Sequence, residues 1–333
     1  MERPPSEVRS DHVAPEDLEK TLHAAGQRVR DWKEGLFGPS STSWKIDRES
    51  ALFLGAGRAA LLQLAHPWVT AALLQHSSLL RDPIARFHNT FRVVFAMTFG
   101  STPQAFKAAR SLHQLHAGIQ GKLQTGVGRY ATGSHYEANH IPALKWVYAT
   151  LVESAVVAYD CVLPPLTISE RDSYVSESKV FASLFGIPPE ALPSNWAGFA
   201  AYMEEMYASD QLGVSEQAVS LARDLLAGAG SWIKLPRWYR ALTAAWLPER
   251  VRLEFQLAFG AAEKRAAERA LIWLPRLYRS IPRGLRFTGA YREACDRLAD
   301  RRPGFITQCS NRFWIGEPLM PFGERERSVQ VTG

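Results

Sequence analysis

Apolar residues recur every three or four positions along most of this chain, which is the spacing of one buried face of an α-helix. Strict alternation of apolar and polar residues, which is typical of strands, is scarce. The pattern therefore predicts an all-α protein with a single large helical domain around a central hydrophobic core. We expect helices over the segments 83–98, 104–121, 141–159, 169–186, 195–209, 215–229, 248–272 and 288–301, with one short helix around 15–34 in a polar N-terminal arm.

Proline and glycine divide these segments. The long apolar stretch 51–80 is rich in small residues that let helices approach closely, and Pro67 should break it after His66. The segment 122–139 contains three glycines and is predicted to be a loop. Further joints are expected at Pro188-Pro189, Pro236, Pro248, Pro275 and Pro282.

The turn Gly100-Ser101-Thr102-Pro103 joins two of the predicted helices. Gly100 suits the position after a helix, Thr102 suits an N-cap, and Pro103 suits the first helical position. Helices joined this tightly form an antiparallel pair, so residues equally far from the turn lie at the same height.

Two facing pairs of polar residues follow from this geometry, Arg86 with His116 and Thr90 with His113. Arg86 and Thr90 are four residues apart, and His113 and His116 are three apart, so the two residues from each helix lie on one face of it. A cation, a hydroxyl and two imidazoles should therefore converge roughly 15–20 Å from the turn, given the rise per residue of a helix. We interpret these four residues as a candidate site.

Composition and charge narrow the class of protein. Hydrophobic residues make up 46% of the chain, enough for a sizeable core, but no window reaches the roughly 18 uninterrupted apolar residues of a membrane span. The start is charged and proline-rich without the apolar region of a signal peptide, and three cysteines are scattered, so we expect a cytoplasmic setting.

The net charge of +6 is concentrated in the second half of the chain. Between Lys234 and Arg312 there are 17 Lys and Arg against 7 Asp and Glu, a local balance of +10. A solvated helical surface is the favoured interpretation, and peripheral membrane contact through this basic half stays open. Nucleic acid is not an expected partner, because no zinc finger or other recognition motif occurs.

The histidines point to a restricted kind of chemistry. All nine lie at or before His140, yet no Glu-x-x-His pair accompanies the predicted hairpin, so a di-metal carboxylate site is not expected. A haem needs less, namely one imidazole for the iron, a cation or hydroxyl for the propionates and an apolar helical cavity. Phosphate-binding loops and a serine nucleophile elbow are absent, and Cys161 is interpreted as a core residue.

Several strings in the segment 51–301 resemble the family of haem-binding catalytic domains shared by the fungal oxygenase MpaB and rubber oxygenase (latex clearing protein). The strings are Gly57-Arg58-Ala59-Ala60-Leu61-Leu62-Gln63-Leu64-Ala65-His66-Pro67, Asp82-Pro83-Ile84-Ala85-Arg86-Phe87-His88-Asn89-Thr90, Leu115-His116-Ala117-Gly118-Ile119-Gln120-Gly121, Tyr136-Glu137-Ala138-Asn139, Trp146-Val147-Tyr148-Ala149-Thr150-Leu151 and Leu242-Thr243-Ala244-Ala245-Trp246-Leu247-Pro248. Each string alone is modest, and their order and spacing together are fairly specific.

The resemblance implies a buried haem-type pocket in the helical core. It implies haem b as the cofactor, with His116 as the proximal iron ligand and Arg86 and Thr90 beside the macrocycle. His113 is then a wall of the pocket. The implied reaction partners are O₂ and a small apolar organic substrate.

Two departures from the family pattern bear on the substrate. Asn89 stands where rubber oxygenase has a lysine, and Tyr148 stands where many members have a histidine. With His88 and Thr150, these residues are our candidates for the substrate side of the pocket. Both departures argue against polyisoprene as the substrate.

The expected organisation is a polar arm over 1–44, a helical catalytic domain over 45–302 and a C-terminal extension over 303–333. The leading hypothesis is a haem b-dependent oxygenase or a related oxidoreductase. Two alternatives stay open, a non-catalytic haem-binding or haem-sensing protein and a cofactor-free helical interaction protein that uses the basic surface after Lys234.

Overall fold

The computed structural model describes residues 11–76, 82–228 and 234–323. These residues form sixteen α-helices, two short 3-10 turns and one small sheet, so the protein is mostly α as predicted. The first eight helices are α1 (Pro15–Gly26), α2 (Thr42–Asp47), α3 (Ala56–Leu64), α4 (Pro67–His76), α5 (Pro83–Phe99), α6 (Thr102–Ala117), α7 (Ile141–Val162) and α8 (Ile168–Ser183). The other eight are α9 (Trp196–Ala208), α10 (Glu216–Ala227), α11 (Arg237–Trp246), α12 (Glu249–Glu254), α13 (Ala261–Ser280), α14 (Arg283–Arg286), α15 (Gly289–Leu298) and α16 (Phe305–Ile315).

The predicted hairpin is present as α5 and α6, joined by two residues and packed against each other. Its capping differs from the prediction by one residue. Ser101, not Thr102, is the N-cap of α6, and its hydroxyl accepts a hydrogen bond from the Gln104 amide at 3.4 Å. The Gln104 side chain accepts one in return from the Ser101 amide at 2.9 Å, which completes a capping box.

Helix α7 runs through the centre of the core. Trp146 is fully buried there, and its indole N–H donates to the Leu62 carbonyl at 2.9 Å, so the ring is buried without an unpaired polar group. Among the described residues this helix alone is long and apolar enough to cross a membrane. More than half of the apolar stretch of this helix is buried inside the protein, as in a core helix.

Small residues let α3 approach its neighbours, as the sequence predicted. A Cβ on Gly55 would lie 2.5 Å from the Ser154 carbonyl oxygen of α7, and one on Gly57 would lie 2.8 Å from the Thr243 hydroxyl of α11. The sequence also predicted the break after His66, and α4 does begin at Pro67. Residues 77–80 of that apolar stretch lie outside the described residues.

Arg58 ties α3 to three other helices. Its guanidinium donates to the Trp246 carbonyl at 2.9 Å, to the Ser154 hydroxyl at 3.0 Å and to the Glu153 carboxylate at 2.5 Å. It also donates to the Tyr207 hydroxyl at 2.9 Å. Because Arg58 is only 4% exposed, this network satisfies a buried charge where α3, α7, α9 and α11 meet.

Four local predictions were wrong. The segment 248–272 is not one helix, because α12 ends at Glu254 and α13 begins at Ala261. Pro275 is not a joint, since it lies inside α13, where arginine side chains donate to nearby helical carbonyls (Arg276 to Ile272 and Arg279 to Pro275). Helix α6 ends at Ala117, and the strands β1 (Gln120–Lys122) and β2 (His135–Glu137) pair antiparallel across the predicted loop.

Helices α11 and α16 were not predicted, and α16 completes an aromatic cluster with α5. Phe87, Phe91, Phe95 and Phe99 recur every four residues along one side of α5. Phe53 stacks on Trp314 of α16 with ring centroids 3.4 Å apart and packs against this row. The segment expected as a C-terminal extension therefore contacts the helix that carries the candidate site.

The N-terminal arm lies against the core from residue 11 onward, and residues 1–10 lie outside the described part of the chain. His12 bridges antiparallel to His140. The amide of the fully buried Val13 donates to the Asn139 carbonyl at 2.9 Å. We call residues 11–14 the strap, because they pair with the residues at the start of α7, at His140 and Asn139.

Candidate functional site

The outer end of the α5–α6 hairpin is fixed at both helix termini. Asp82 caps α5 by accepting a hydrogen bond from the Ala85 amide at 2.9 Å, and Pro83 follows at the first helical position. Arg86 lies in the first turn of α5, and His116 lies in the last turn of α6. The two helix ends therefore carry the two charged or ionisable groups that the sequence predicted to face each other.

His116 has a neutral imidazole at physiological pH. Burial lowers its pKa to about 4, the positive charges of Arg86 and His113 contribute further, and a hydrogen bond with the Asn139 side chain acts in the opposite direction. A helix C-terminus normally favours a cation, so burial outweighs the helix dipole here. A neutral imidazole offers a ring nitrogen lone pair to a metal without first losing a proton.

Arg86 is a partly buried cation for which the described residues provide no counter-ion. Burial lowers the pKa of its guanidinium. No carboxylate or carbonyl within the described residues accepts a hydrogen bond from this side chain, although its charge reaches His116. An unpaired buried arginine is costly unless an anion binds it, so this position suits a carboxylate-bearing ligand.

Thr90 and His113 are already engaged. The Thr90 hydroxyl donates to the Arg86 carbonyl at 3.0 Å within its own helix. His113 Nε2 lies 2.9 Å from the Val13 carbonyl oxygen, which assigns the proton to that nitrogen. Asn139 donates to the His113 carbonyl at 3.3 Å, so the strap and Asn139 together brace this turn of α6.

His88 and Asn89 have other partners than His116. His88 Nε2 donates to the Phe313 carbonyl of α16 at 3.1 Å. Asn89 is exposed and accepts a hydrogen bond from Arg92 at 3.0 Å. The structure therefore does not bring these two pocket candidates beside His116.

Tyr148 and Thr150 lie inside the core on α7. The Tyr148 hydroxyl is 2.6 Å from the Ser178 hydroxyl, and burial raises the pKa of Tyr148 to about 12. Thr150 donates to the Val147 carbonyl at 2.7 Å and accepts from Gln63 at 3.1 Å. Both hydroxyls join α7 to neighbouring helices, so they act there as packing and hydrogen-bonding groups.

Asn139 and Val13 contact the candidate site, and sequence reasoning did not single them out. Asn139 is only 2% exposed and contacts both histidines of α6. The signal for Asn139 was the string Tyr136-Glu137-Ala138-Asn139 in the family resemblance. No signal in the sequence pointed to Val13, because it contacts His113 through its backbone carbonyl, which every residue has.

The donor set suits a porphyrin better than a bare metal ion. Within the described residues no group of three or more His, Cys, Asp or Glu side chains could hold a metal ion. A haem brings four nitrogen ligands of its own and needs from the protein an imidazole, a cation for its propionates and an apolar cavity. Of these, His116 fits the imidazole, and Arg86, which no described carboxylate pairs with, fits the cation.

Comparison with protein families gives a match over residues 44–277, to the catalytic domain described as ER-bound oxygenase mpaB/B′ and rubber oxygenase. The chain belongs to this oxygenase family. The match begins inside α2 and ends inside α13, so it includes the hairpin, α7 and the core around them. No curated protein and no solved structure matches the chain.

Proposed function

We propose that this protein is a haem b-dependent oxygenase, or a closely related oxidoreductase, acting with O₂ on a small apolar substrate. The observation that carries the proposal is a neutral, partly buried His116 beside Arg86, which no described carboxylate pairs with, on a hairpin of an oxygenase-family catalytic domain. Thr90 and His113 belong to the same proposed cofactor site. A cytoplasmic setting is part of the proposal, and it is supported by three free cysteines.

In this proposal His116 would hold the haem iron and Arg86 would bind a haem propionate. Bound haem would supply the iron chemistry that activates O₂. The Asn139 side chain accepts a hydrogen bond from one ring N–H of His116, which would leave the other ring nitrogen to hold the iron. The strap holds His113 through the Val13 carbonyl and so keeps the last turn of α6 in place.

The protein as purified after expression with haem available tests the cofactor. We expect a Soret band and about one haem per chain. Replacing His116 by Ala should abolish stable haem binding, because the axial ligand is lost. Replacing His113 by Ala, the matched control one turn away, should leave haem bound and change only its spectrum.

Two outcomes separate the alternatives. Absence of a Soret band in wild-type protein would favour the cofactor-free interaction protein. A haem protein that consumes no O₂ with a reductant and apolar substrates would favour the haem-binding or haem-sensing alternative. Retention of haem by His116→Ala and its loss in His113→Ala would exchange the roles of the two histidines.

We also propose peripheral contact with a membrane through the arginine surface, defined as Arg265, Arg269, Arg276, Arg279 and Arg283. None of these arginines pairs with a carboxylate of the described residues. Large apolar side chains lie exposed among them, at Leu271, Ile272, Leu277 and Leu285. Basic and apolar groups on one exposed face are typical of helices that lie on anionic lipid surfaces.

A further inference from the structure

A cavity of about 90 Å³ lies between α2, α3, α5, α7 and α8. Its walls are mainly apolar, with Leu52, Phe91, Phe95, Leu151, Val152 and Phe181 among them. The α5 wall runs from Phe91 to Thr98, so the cavity begins one residue after Thr90 on the helix that carries the candidate site.

Asp47 is the exceptional group in this lining. Tyr174 donates a hydrogen bond to Asp47 Oδ1 at 3.0 Å, while no described donor reaches Oδ2 and no described cation pairs with the carboxyl. The pKa of Asp47 is raised to about 7, chiefly by burial; the hydrogen bond from Tyr174 opposes this rise, and the nearby Glu177 carboxylate adds to it. Asp47 is part-buried and lines the cavity, so its Oδ2 is open to a ligand there, and a ligand hydroxyl can complete the hydrogen bonds of the carboxyl.

The serine hydroxyls that line the cavity are already committed. Ser43 donates to Glu177 at 2.8 Å, Ser154 accepts from Arg58 at 3.0 Å, and Ser178 is paired with Tyr148. The apolar walls give water few partners, whereas a buried water typically makes about three hydrogen bonds. The cavity therefore combines mainly apolar walls with an acceptor, Asp47 Oδ2, that no donor of the described residues reaches.

We propose that this cavity binds a small apolar molecule bearing a hydroxyl group, with the hydroxyl donating to Asp47 Oδ2 and the hydrocarbon part against Phe91 and Leu151. As an assignment of substrate class, an aliphatic alcohol, the inference rests on the proposed function. Binding itself requires no haem, because Asp47 and the apolar walls come from helices other than α6. The cavity volume limits the ligand to a few carbon atoms, since a cavity of about 150 Å³ accommodates benzene and this one is smaller.

The test uses the full chain as purified and two probes of similar size, 1-butanol and 1-chlorobutane, with binding followed by saturation-transfer NMR titration. We expect wild-type protein to bind the alcohol at least about tenfold more tightly, because only the alcohol donates a hydrogen bond to the carboxyl. Asp47→Ala should reduce that preference to near unity while still binding chlorobutane. Asp47→Asn, which keeps a polar group and the contact with Tyr174, should retain part of the preference.

Ala155→Leu places a larger side chain on the cavity wall and should weaken both probes. Circular dichroism of each variant checks that the fold is kept. Equal binding of the two probes by wild-type protein, binding of neither, or a preference that survives Asp47→Ala would overturn the inference. Failure of the proposed function appears separately, as absence of the Soret band in protein that still prefers the alcohol.

Discussion

The pKa of His116 results from opposing local effects. The end of α6 and the hydrogen bond with Asn139 favour a proton on the imidazole, whereas burial and the charge of Arg86 disfavour it. Burial is the largest of these effects, so the ring is neutral across the physiological range. The same burial removes water from Arg86, which makes an anionic partner for that guanidinium more favourable.

Replacing Arg86 by Leu should raise the pKa of His116 from about 4 part of the way towards 6.5 in haem-free protein, because one lowering charge is removed and burial is retained. NMR titration of the imidazole carbon proton measures this shift. Arg110→Leu is the matched control, since it removes a guanidinium of α6 that pairs with Glu19 instead. An unchanged His116 pKa in Arg86→Leu would contradict the facing arrangement.

At the scale of elements, substitutions at three glycines distinguish two contributions to the free energy of unfolding: strain from a positive φ and steric overlap of an added Cβ. Gly186, after α8, has φ +77°, and a Cβ there would lie 2.2 Å from Val13 Cγ1 of the strap. Gly133, before β2, has φ +81° and open space, while Gly284, in α14, has open space and no positive φ. Changing each glycine to Ala therefore tests a positive φ with a close neighbour, a positive φ alone, and neither of the two.

We expect Gly186→Ala to destabilise most, Gly133→Ala to cost about 1 kcal/mol, and Gly284→Ala to be neutral or stabilising by a few tenths. Chemical denaturation at one pH gives the three free energies of unfolding. If Gly186→Ala cost no more than Gly133→Ala, the strap would not be held against the end of α8 as described.

Helices α15 and α16 are joined through one buried carboxyl, Glu293. It accepts hydrogen bonds from Asn311 at 2.7 Å and from the Met320 amide at 2.9 Å. Burial raises the pKa of Glu293 from 4.5 to about 7, and the two hydrogen bonds only partly oppose that rise. The folded protein therefore binds this proton more tightly than the unfolded chain does.

The stability that Glu293 contributes by this route is fully present below pH 4.5 and is lost as the pH rises through about 7. Glu293→Gln should remove this loss, so the stability of the variant relative to wild type should improve by up to about 3 kcal/mol between pH 4.5 and 8. Urea denaturation of both proteins across this range measures the difference. Parallel stability curves would argue against the raised pKa.

At the scale of the whole molecule, positive charge and exposed apolar side chains coincide on the arginine surface. We expect the protein to sediment with vesicles containing phosphatidylserine and not with pure phosphatidylcholine vesicles, and salt should weaken the binding. Arg276→Glu with Arg279→Glu should reduce binding at least about tenfold, given roughly 1 kcal/mol for each basic residue near the surface.

The matched control for vesicle binding is Arg28→Glu with Arg30→Glu, which changes the net charge equally at another exposed position. This pair should reduce binding much less, because it lies outside the arginine surface, although the exposed Trp32 is close to it in the chain. Equal loss in the two double variants would indicate a general effect of net charge and would count against a specific surface.

The sequence alone determined the elements whose signals are local. The spacing of apolar residues predicted α5, α6 and α7, and the two-residue turn predicted that α5 and α6 would pair. Helix periodicity also predicted that Arg86 and His116 would occupy corresponding heights. These predictions succeeded because turn residues and a period of 3.6 act between neighbours in the chain.

Only the tertiary structure decided which groups those faces meet. His88 lies on α5 like Arg86, but its partner is α16, more than 200 residues away in the chain. Tyr174 reaches Asp47 across 127 residues, and His113 reaches Val13 across 100. Burial, pKa and free hydrogen-bonding positions are set by such distant neighbours, so the open carboxyl oxygen of Asp47 and the neutral state of His116 could not be predicted from local pattern.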